Sequence, residues 1–297
     1  MFPLVSILMT GLIGVTAFVV DVGAWDQNQR SMQATADAAA LAGAEDLPYD
    51  QTGATALANT YAAKNGGGTA TVSFPAADTI DVTMQDYGSG AFATVYGSQN
   101  KNVKITGEAV AKSGIVTSAQ GVVPLIVTKN QPQLTGCGAY PCFNQPATLK
   151  INDDTTLGGG QAGLVDLTGN GSVTSTQIAA WVTSGLSSPL PSNAYYYSAG
   201  SCKFSNQNFH TALDARVAAG APLLFPVYDP SRTDTTTNPP RYYIVGFAAF
   251  VVTSYRLNGC GNKSDFIGGY FVHDVTTGTS DGTATADFGV RTITLTG

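Results

Sequence analysis

Charged residues are scarce in this chain, and clusters of basic residues are missing. Only 11% of the 297 residues are charged, against about a quarter in typical soluble proteins. The 14 Lys and Arg residues are scattered, and the formal net charge is −6. Because binding to nucleic-acid phosphates needs concentrated cations, we predict no nucleic-acid partner.

Catalytic motifs are also missing. The sequence has no G-x-S-x-G elbow, no H-E-x-x-H, no P-loop and no GxGxxG after a predicted strand. His210 and His273 have no spacing relation to a Ser or Cys that would indicate a triad. Asp153 and Asp154 are adjacent, so in a strand they would point to opposite faces. We therefore predict a protein that is not an enzyme, with no catalytic residue and no cofactor.

The first twenty residues carry no charge at all. At about 1.5 Å per residue, a helix of this length spans roughly 30 Å, the thickness of a bilayer core. Three interpretations compete: a retained stalk or anchor, a signal peptide cleaved after Val22-Gly23-Ala24, and a buried soluble helix. No Lys or Arg precedes the run, although signal peptides usually begin with a basic region, and such long uncharged runs are rare in soluble cores. The sequence favours the stalk or anchor.

The apolar run continues without a break into a helix of small residues. One helical face carries Trp25, Met32, Ala36, Ala39, Ala40 and Gly43. Asp26, Gln29, Arg30, Gln33 and Asp37 lie mostly off that face. We predict one helix that reaches about Ala44, and Pro48 ends the run.

The remaining sequence predicts an α+β protein with three parts. These are the helix (1–44), a small α+β domain (45–114) and a mostly β outer domain exposed at the surface (115–297). In the small domain we expect helices at 51–64 and 89–97 and strands at 69–74, 79–85 and 102–112. In the outer domain we expect strands at 122–127, 241–255, 268–275 and 290–295 and helices at 174–185 and 206–219.

Four cysteines are present, Cys137, Cys142, Cys202 and Cys260. An even number after a membrane-directing segment is typical of an oxidising compartment. Three pairings are possible, and the short loop between Cys137 and Cys142 favours Cys137–Cys142 with Cys202–Cys260. Zinc is the competing interpretation, but the spacing of four residues and the lack of a second close pair disfavour it.

One loop has the residue order of an EF-hand. Oxygen side chains fall at its first, third, fifth, ninth and twelfth places, in Asp166, Thr168, Asn170, Thr174 and Gln177. Only Asp166 is a carboxylate, so any calcium binding would be weak, and the alternative is a turn that caps the following helix. No other metal site is predicted. Asn170 and Asn262 begin N-x-S sequons and are candidate glycosylation sites.

Val20-Asp21-Val22-Gly23 and the stretch Gln33-Ala-Thr-Ala-Asp-Ala-Ala-Ala-Leu-Ala42 resemble the Tad (tight adherence)/Flp pilus-assembly family, whose members are called TadE/TadG-like. The resemblance covers about residues 4–113. It implies a pilin-like or pilus-associated surface protein of a prokaryote, anchored in the inner or cytoplasmic membrane before assembly. It also implies contact with the pilus assembly machinery and with further copies of this chain.

The resemblance leads to a structural interpretation, in which the chain is a subunit of an extracellular filament that could also adhere. The expected filament-core residues are Phe2, Leu4, Val5, Ile7, Leu8, Leu12, Ile13, Val15, Phe18 and Val19. Type IV pilin-like proteins usually have Glu at position five, where this chain has Val5. The terminal amine would therefore rely on backbone carbonyls, lie near solvent, or pair with Asp21 of a neighbouring copy that is shifted along the axis. The alternatives are a membrane-anchored minor pilin or adhesin-type binding module and, third, a secreted enzyme.

Overall fold

The structure is a computed structural model that describes residues 2–89, 102–138, 140–151, 161–259, 262, 264–284 and 286–296. The chain forms two compact units. The first comprises residues 1–113 together with 293–297, and the second comprises residues 114–292. A long N-terminal helix is followed by mixed α and β structure that becomes mostly β, so the predicted fold class is confirmed.

The described residues of the first unit form two helices and a three-stranded antiparallel sheet. Its elements are α1 (Phe2–Ala44), α2 (Gln51–Lys64), β1 (Thr69–Ala76), β2 (Thr79–Ser89) and β3 (Asn102–Ile115), the last of which enters the second unit at Gly114. The strands pair antiparallel in the order β1-β2-β3. The end of the chain also belongs here, since the Thr296 N–H donates to the Val110 carbonyl at 2.8 Å. The short helix predicted at 89–97 lies outside the described residues from Gly90 onward.

Helix α1 runs unbroken for 43 residues, about 65 Å at the rise of an α-helix. From Met32 onward its predicted apolar face is buried against α2 and the sheet. Gly43 lies where a Cβ would come within 2.5 Å of Ile80 Cδ1 and 2.9 Å of the Ala54 carbonyl oxygen. A residue without a side chain is therefore required where α1 crosses α2. Helix α2 begins at the N-cap Asp50, whose carboxylate accepts a hydrogen bond from the Gly53 N–H.

The second unit is built on a seven-stranded sheet. Its elements are β4 (Ser118–Ala119), β5 (Leu125–Thr128), α3 (Pro132–Thr135), β6 (Pro146–Lys150), β7 (Ala162–Leu164), α4 (Ser175–Ser184), β8 (Leu190–Pro191), β9 (Ala194–Tyr197), the 3-10 helix η1 (Ser201–Ser205), α5 (Gln207–Ala219), β10 (Leu223–Tyr228), the 3-10 helix η2 (Pro230–Arg232), β11 (Arg241–Arg256), β12 (Phe266–Val272), β13 (Asp274–Val275) and β14 (Gly278–Thr279). A last strand, β15 (Val290–Leu295), begins in this unit, and its residues from Ile293 onward belong to the first unit. The main sheet has the order β6-β12-β11-β10-β5-β7, and β9 also pairs with β11. Strand β11 is central, as its apolar composition predicts.

Each face of this sheet packs against a hydrophobic core. One face packs on α4 and α5 around Phe209, Phe225 and Phe250, and the other surrounds Tyr228 and Tyr242. The helix predicted at 174–185 is α4, and its N-cap Thr174 forms a capping box with Gln177. The structure contains the predicted Cys137–Cys142 disulfide. The other predicted pair involves Cys260, which lies outside the described residues, so Cys202–Cys260 stays a prediction.

Candidate functional site

The first half of α1, which we call the stalk (residues 3–22), exposes its apolar side chains. The expected filament-core residues with described side chains are 56–74% exposed, and they are Leu4, Val5, Ile7, Leu8, Leu12, Ile13, Val15, Phe18 and Val19. The side chain of Phe2 lies outside the described part. By length and composition α1 is able to cross a membrane. Contiguous apolar surface of this extent marks a membrane or protein contact.

The threonines of the stalk bond to the helix itself. The Thr10 hydroxyl donates to the Ser6 carbonyl at 2.8 Å. The Thr16 hydroxyl lies 3.0 Å from the Leu12 carbonyl and 2.9 Å from the Ile13 carbonyl. Because a hydroxyl with no partner is costly in an apolar medium, this arrangement suits a helix that is surrounded by lipid or by other apolar helices.

Two residues of the stalk are buried, Ala17 and Asp21. They lie four residues apart, on one face of the helix, and are 5% and 4% exposed. Asp21 also makes an interaction within its own chain. In this conformation its carboxylate is therefore not presented to a neighbouring copy, and its pairing with a neighbour's terminal amine stays a prediction.

Two glutamine side chains of α1 form hydrogen bonds with the backbone of β3. The Gln33 amide donates to the Glu108 carbonyl at 2.7 Å, and the Glu108 N–H donates to the Gln33 side-chain oxygen at 3.3 Å. The Gln29 amide donates to the Thr106 carbonyl. Between these contacts, a Cβ on Gly107 would lie 2.5 Å from the carbonyl carbon and oxygen of Met32. Backbone therefore packs on backbone, and the helix is held in one position on its domain.

The structure brings the calcium-candidate residues into one loop but engages their oxygens in three separate hydrogen-bond systems, around Asp166, Asn170 and Thr174. One carboxylate oxygen of Asp166 accepts from the Thr168 N–H and hydroxyl at 2.8 and 2.7 Å, and the other accepts from the Gly171 N–H at 3.0 Å. Gln177 serves the capping box with Thr174. Among the described residues no group of three or more His, Cys, Asp or Glu could hold a metal. This geometry favours the turn that caps α4, and calcium binding remains an untested expectation.

The sequon asparagines lie in exposed turns. Asn170 accepts a hydrogen bond from the Ser172 N–H, and Asn262 accepts from both the N–H and the hydroxyl of Ser264. The histidines are placed apart. The His210 Nε2 lies 2.7 Å from the Phe204 carbonyl, and the His273 ring packs edge-on against Phe143. Neither histidine has an arrangement that indicates a catalytic role.

The sequence alone does not reveal the roles of two groups of residues. Gln29 and Gln33 lie off the apolar face, and the available signal is their spacing of four on one side of a helix. For the tyrosines of β9 and β11 the signal is weaker, although Tyr195 and Tyr197 alternate like strand residues that share a face. No local pattern shows which other strand lies beside them.

A comparison with protein families gives a match to the first part of the chain. Residues 1–46 match the Tad family, described as Flp pilus-assembly TadE/G-like. No curated protein and no solved structure matches the chain. The predicted resemblance is thus confirmed for residues 1–46 and is untested for the residues beyond them. The chain therefore begins with a segment similar to TadE/G-like pilus-assembly proteins, which supports a pilus-related role at the surface or in the membrane.

Proposed function

We propose that this protein is a structural subunit of an extracellular pilus-like filament of a prokaryote. In the filament, stalks from successive copies pack in the core and the mostly β outer domain forms the surface. The observation that carries this proposal is the exposure of the stalk on a helix that, from Met32 onward, buries one face in the first unit. Before assembly the same stalk lies in the inner or cytoplasmic membrane.

Burial of the stalk would drive association strongly. Moving one Leu, Ile, Val or Phe side chain out of water contributes about 1.5–3 kcal/mol, and nine such predicted core side chains are more than half exposed. Within a membrane the stalk side chains are already out of water, so the hydrophobic effect gives no further driving force for association. Assembly then depends on close packing between stalks. Gly11 suits such packing because it has no side chain and its surroundings within the chain are open, so another helix can approach its backbone closely.

The rigidity of α1 favours a filament subunit over a simple anchor. A helix without a break passes from the stalk into the packed half, and Gln29, Gln33 and Gly107 hold that half on the domain. Each stalk therefore has one direction relative to its own domain. A helical filament needs this, because every copy must repeat the same contacts. A tether for a lone surface domain does not need it.

The second candidate is a membrane-anchored minor pilin or adhesin-type binding module. The uncharged run from Phe2 to Val20 is long enough to cross a bilayer by itself. In this case copies of the chain stay in the membrane and do not form a polymer.

The test uses substitutions that keep the stalk apolar. In cells that express the protein, Leu12→Ala should leave it in the membrane but reduce its amount in filaments sheared from the surface. Leu12 is 61% exposed on the stalk. The matched control is Leu41→Ala, because Leu41 is also exposed, at 37%, but lies on the packed half of α1; this variant should assemble normally.

Electron microscopy of the sheared material, with mass spectrometry of its subunits, gives the readout. Filaments that contain this chain as their main component would support the proposal. Recovery of the chain from membranes alone, never from filaments, would overturn it in favour of the anchored module.

A further inference from the structure

Three tyrosines and two arginines form a surface on the second unit, which we call the tyrosine platform (Tyr195, Tyr197, Tyr243, Arg232 and Arg241). Strand β9 pairs antiparallel with β11, so that Tyr195 lies opposite Tyr243 and Tyr197 lies opposite Arg241. Because alternate residues of a strand share a face, these four side chains lie on the same side of the sheet. The residues between them, Tyr196 and Tyr242, are buried in the core.

The rings and guanidinium groups of the platform are in contact. Tyr195 meets Tyr243 edge to face, with ring centroids 4.9 Å apart. The Arg232 guanidinium lies 3.4 Å above the centre of the Tyr243 ring. Arg241 lies 5.2 Å from the ring centre of Tyr195 and 5.6 Å from that of Tyr197. Tyr243 is only 8% exposed, whereas Tyr195 is 42% exposed, so an aromatic surface remains open to solvent beside Arg232.

The loop that begins at Asp166 packs against Tyr197 of the tyrosine platform. A Cβ on Gly171 would lie 3.4 Å from the Tyr197 ring, so this glycine lets the loop backbone pack on the ring. The Gly171 N–H is in turn held by the Asp166 carboxylate. The platform is thus organised before any ligand arrives, and this reduces the entropy that binding must overcome.

The two arginines differ in their partners. Arg241 donates from its Nε and one terminal nitrogen to the same oxygen of Asp234. Arg232 is exposed, and within the described part of the chain it has no ion-pair partner. The platform therefore carries one cation that is not paired with any described carboxylate, in a chain whose net charge is −6. A guanidinium in this state suits a carboxylate, which it binds with two parallel hydrogen bonds.

We propose that the tyrosine platform binds a polysaccharide that carries carboxylate groups, such as a polymer of uronic acids. The C–H face of a pyranose ring stacks on Tyr195, and the sugar carboxylate binds Arg232. The remaining N–H groups of Arg241 donate to sugar hydroxyls. Tyrosine suits such a ligand because it offers an apolar ring face and a polar hydroxyl together. Nucleic acid does not fit, since neutralising successive phosphates needs several cations.

This inference deepens the proposed function, because it names a ligand for the surface of the filament or anchored module. Its experiment uses unassembled full-length protein in detergent, so that binding is measured independently of filament formation. The immobilised probe is polygalacturonic acid, and dextran serves as the neutral probe. Biolayer interferometry should show binding to polygalacturonic acid that weakens as salt is added.

The variants Tyr195→Ala and Arg232→Ala should each bind the acidic polymer about tenfold more weakly, equivalent to about 1.4 kcal/mol. Tyr195→Phe keeps the ring face and should retain most of the binding. Two matched controls should bind like the original protein. Tyr61→Ala removes a tyrosine that is equally exposed, at 41%, and also lies beside a cation, Lys64. Arg256→Ala removes an exposed arginine at the far end of β11.

The outcomes separate the alternatives. Equal binding to poly-glutamate with the same sensitivity to the variants would identify an acidic peptide as the ligand and overturn the saccharide. An equal loss in Tyr61→Ala, or no binding by the original protein, would also overturn the proposal. A failure to find filaments in sheared material leaves this binding result intact, and a failure to bind polygalacturonic acid leaves the filament result intact.

Discussion

The two units of this protein have cores made of side chains of different size. Nine of the fifteen buried residues in the core cluster of the first unit are alanine. In the second unit, the largest fully buried side chains are aromatic, and they are Phe204, Phe209, Phe225, Tyr228, Tyr242, Phe250 and Phe271. Small side chains let backbones approach closely, whereas aromatic side chains fill the space between a sheet and its helices.

The difference implies opposite sensitivities to mutation. In the first unit, α1 touches α2 at Gly43 and β3 at Gly107, and neither site has room for a Cβ. Substitution with a larger residue should therefore destabilise the first unit more than substitution with a smaller one. In the second unit truncation should be more harmful, because it leaves a cavity that close-packed neighbours cannot fill.

The largest effect is expected when Phe250 is changed to Ala. Phe250 is fully buried, and its ring lies 5.4 Å from that of Phe225 and 4.8 Å from that of Phe271. Loss of a buried Phe side chain typically costs about 3–5 kcal/mol. Hydrogen exchange measured by mass spectrometry on the full chain in detergent should show faster exchange in β10, β11 and β12.

The control for that substitution is Phe18→Ala on the stalk. Phe18 is 65% exposed, so its removal should leave exchange in both units unchanged. Unchanged protection of β10 to β12 in Phe250→Ala would show that the aromatic core is not what stabilises the second unit.

A smaller effect is expected for Gly107→Val in the first unit. The new side chain would meet the Met32 backbone, and overpacking of this kind typically costs about 1–3 kcal/mol. Faster exchange should then be confined to residues 25–44 of α1 and to β3. Gly23→Ala is the matched control, because a Cβ at Gly23 would have no atom within 4 Å. If both variants exchange alike, close contact between helix and strand backbones is not required.

The elements that could be predicted are those whose signals lie in neighbouring residues. A helical period of small residues predicted the buried face from Met32 to Gly43, and α2 has the predicted bounds of 51–64. Strand β11 is apolar along almost its whole length, which is typical of a central strand. Cap-type residues likewise predicted the start of α4.

Contacts between distant segments could not be predicted in this way. The bonds from Gln29 and Gln33 to β3 join residues that are 75 to 77 positions apart. Tyr195 lies beside Tyr243 only because β9 pairs with β11 in one register, and register depends on the whole sheet. For the candidate site, the sequence showed the apolar character of the stalk, but the burial of Asp21 depends on the folded chain.

The smallest predicted effect is a change in the acid sensitivity of the second unit, which involves the ion pair between Asp234 and Arg241. Hydrogen bonds from the Thr236 hydroxyl and the Arg241 guanidinium lower the pKa of Asp234 to about 2, from about 3.9 in an unfolded chain. A carboxyl whose pKa is lowered by folding contributes stability above its unfolded pKa, and this stability is lost as the pH falls through the folded value. Asp234→Asn should therefore reduce the fall in melting temperature of the second unit between about pH 4 and pH 2.

Asp281→Asn is the matched control for this measurement. Asp281 accepts the same two hydrogen bonds, from the N–H and hydroxyl of Thr283, and they lower its pKa as well. Arg241 pairs with Asp234 and not with Asp281. Because Asn keeps the turn in both places, a larger change in acid sensitivity for Asp234→Asn measures the contribution of the arginine. Equal changes would mean that the turn alone lowers the pKa, and that Arg241 is held on the tyrosine platform by its contacts with Tyr195 and Tyr197.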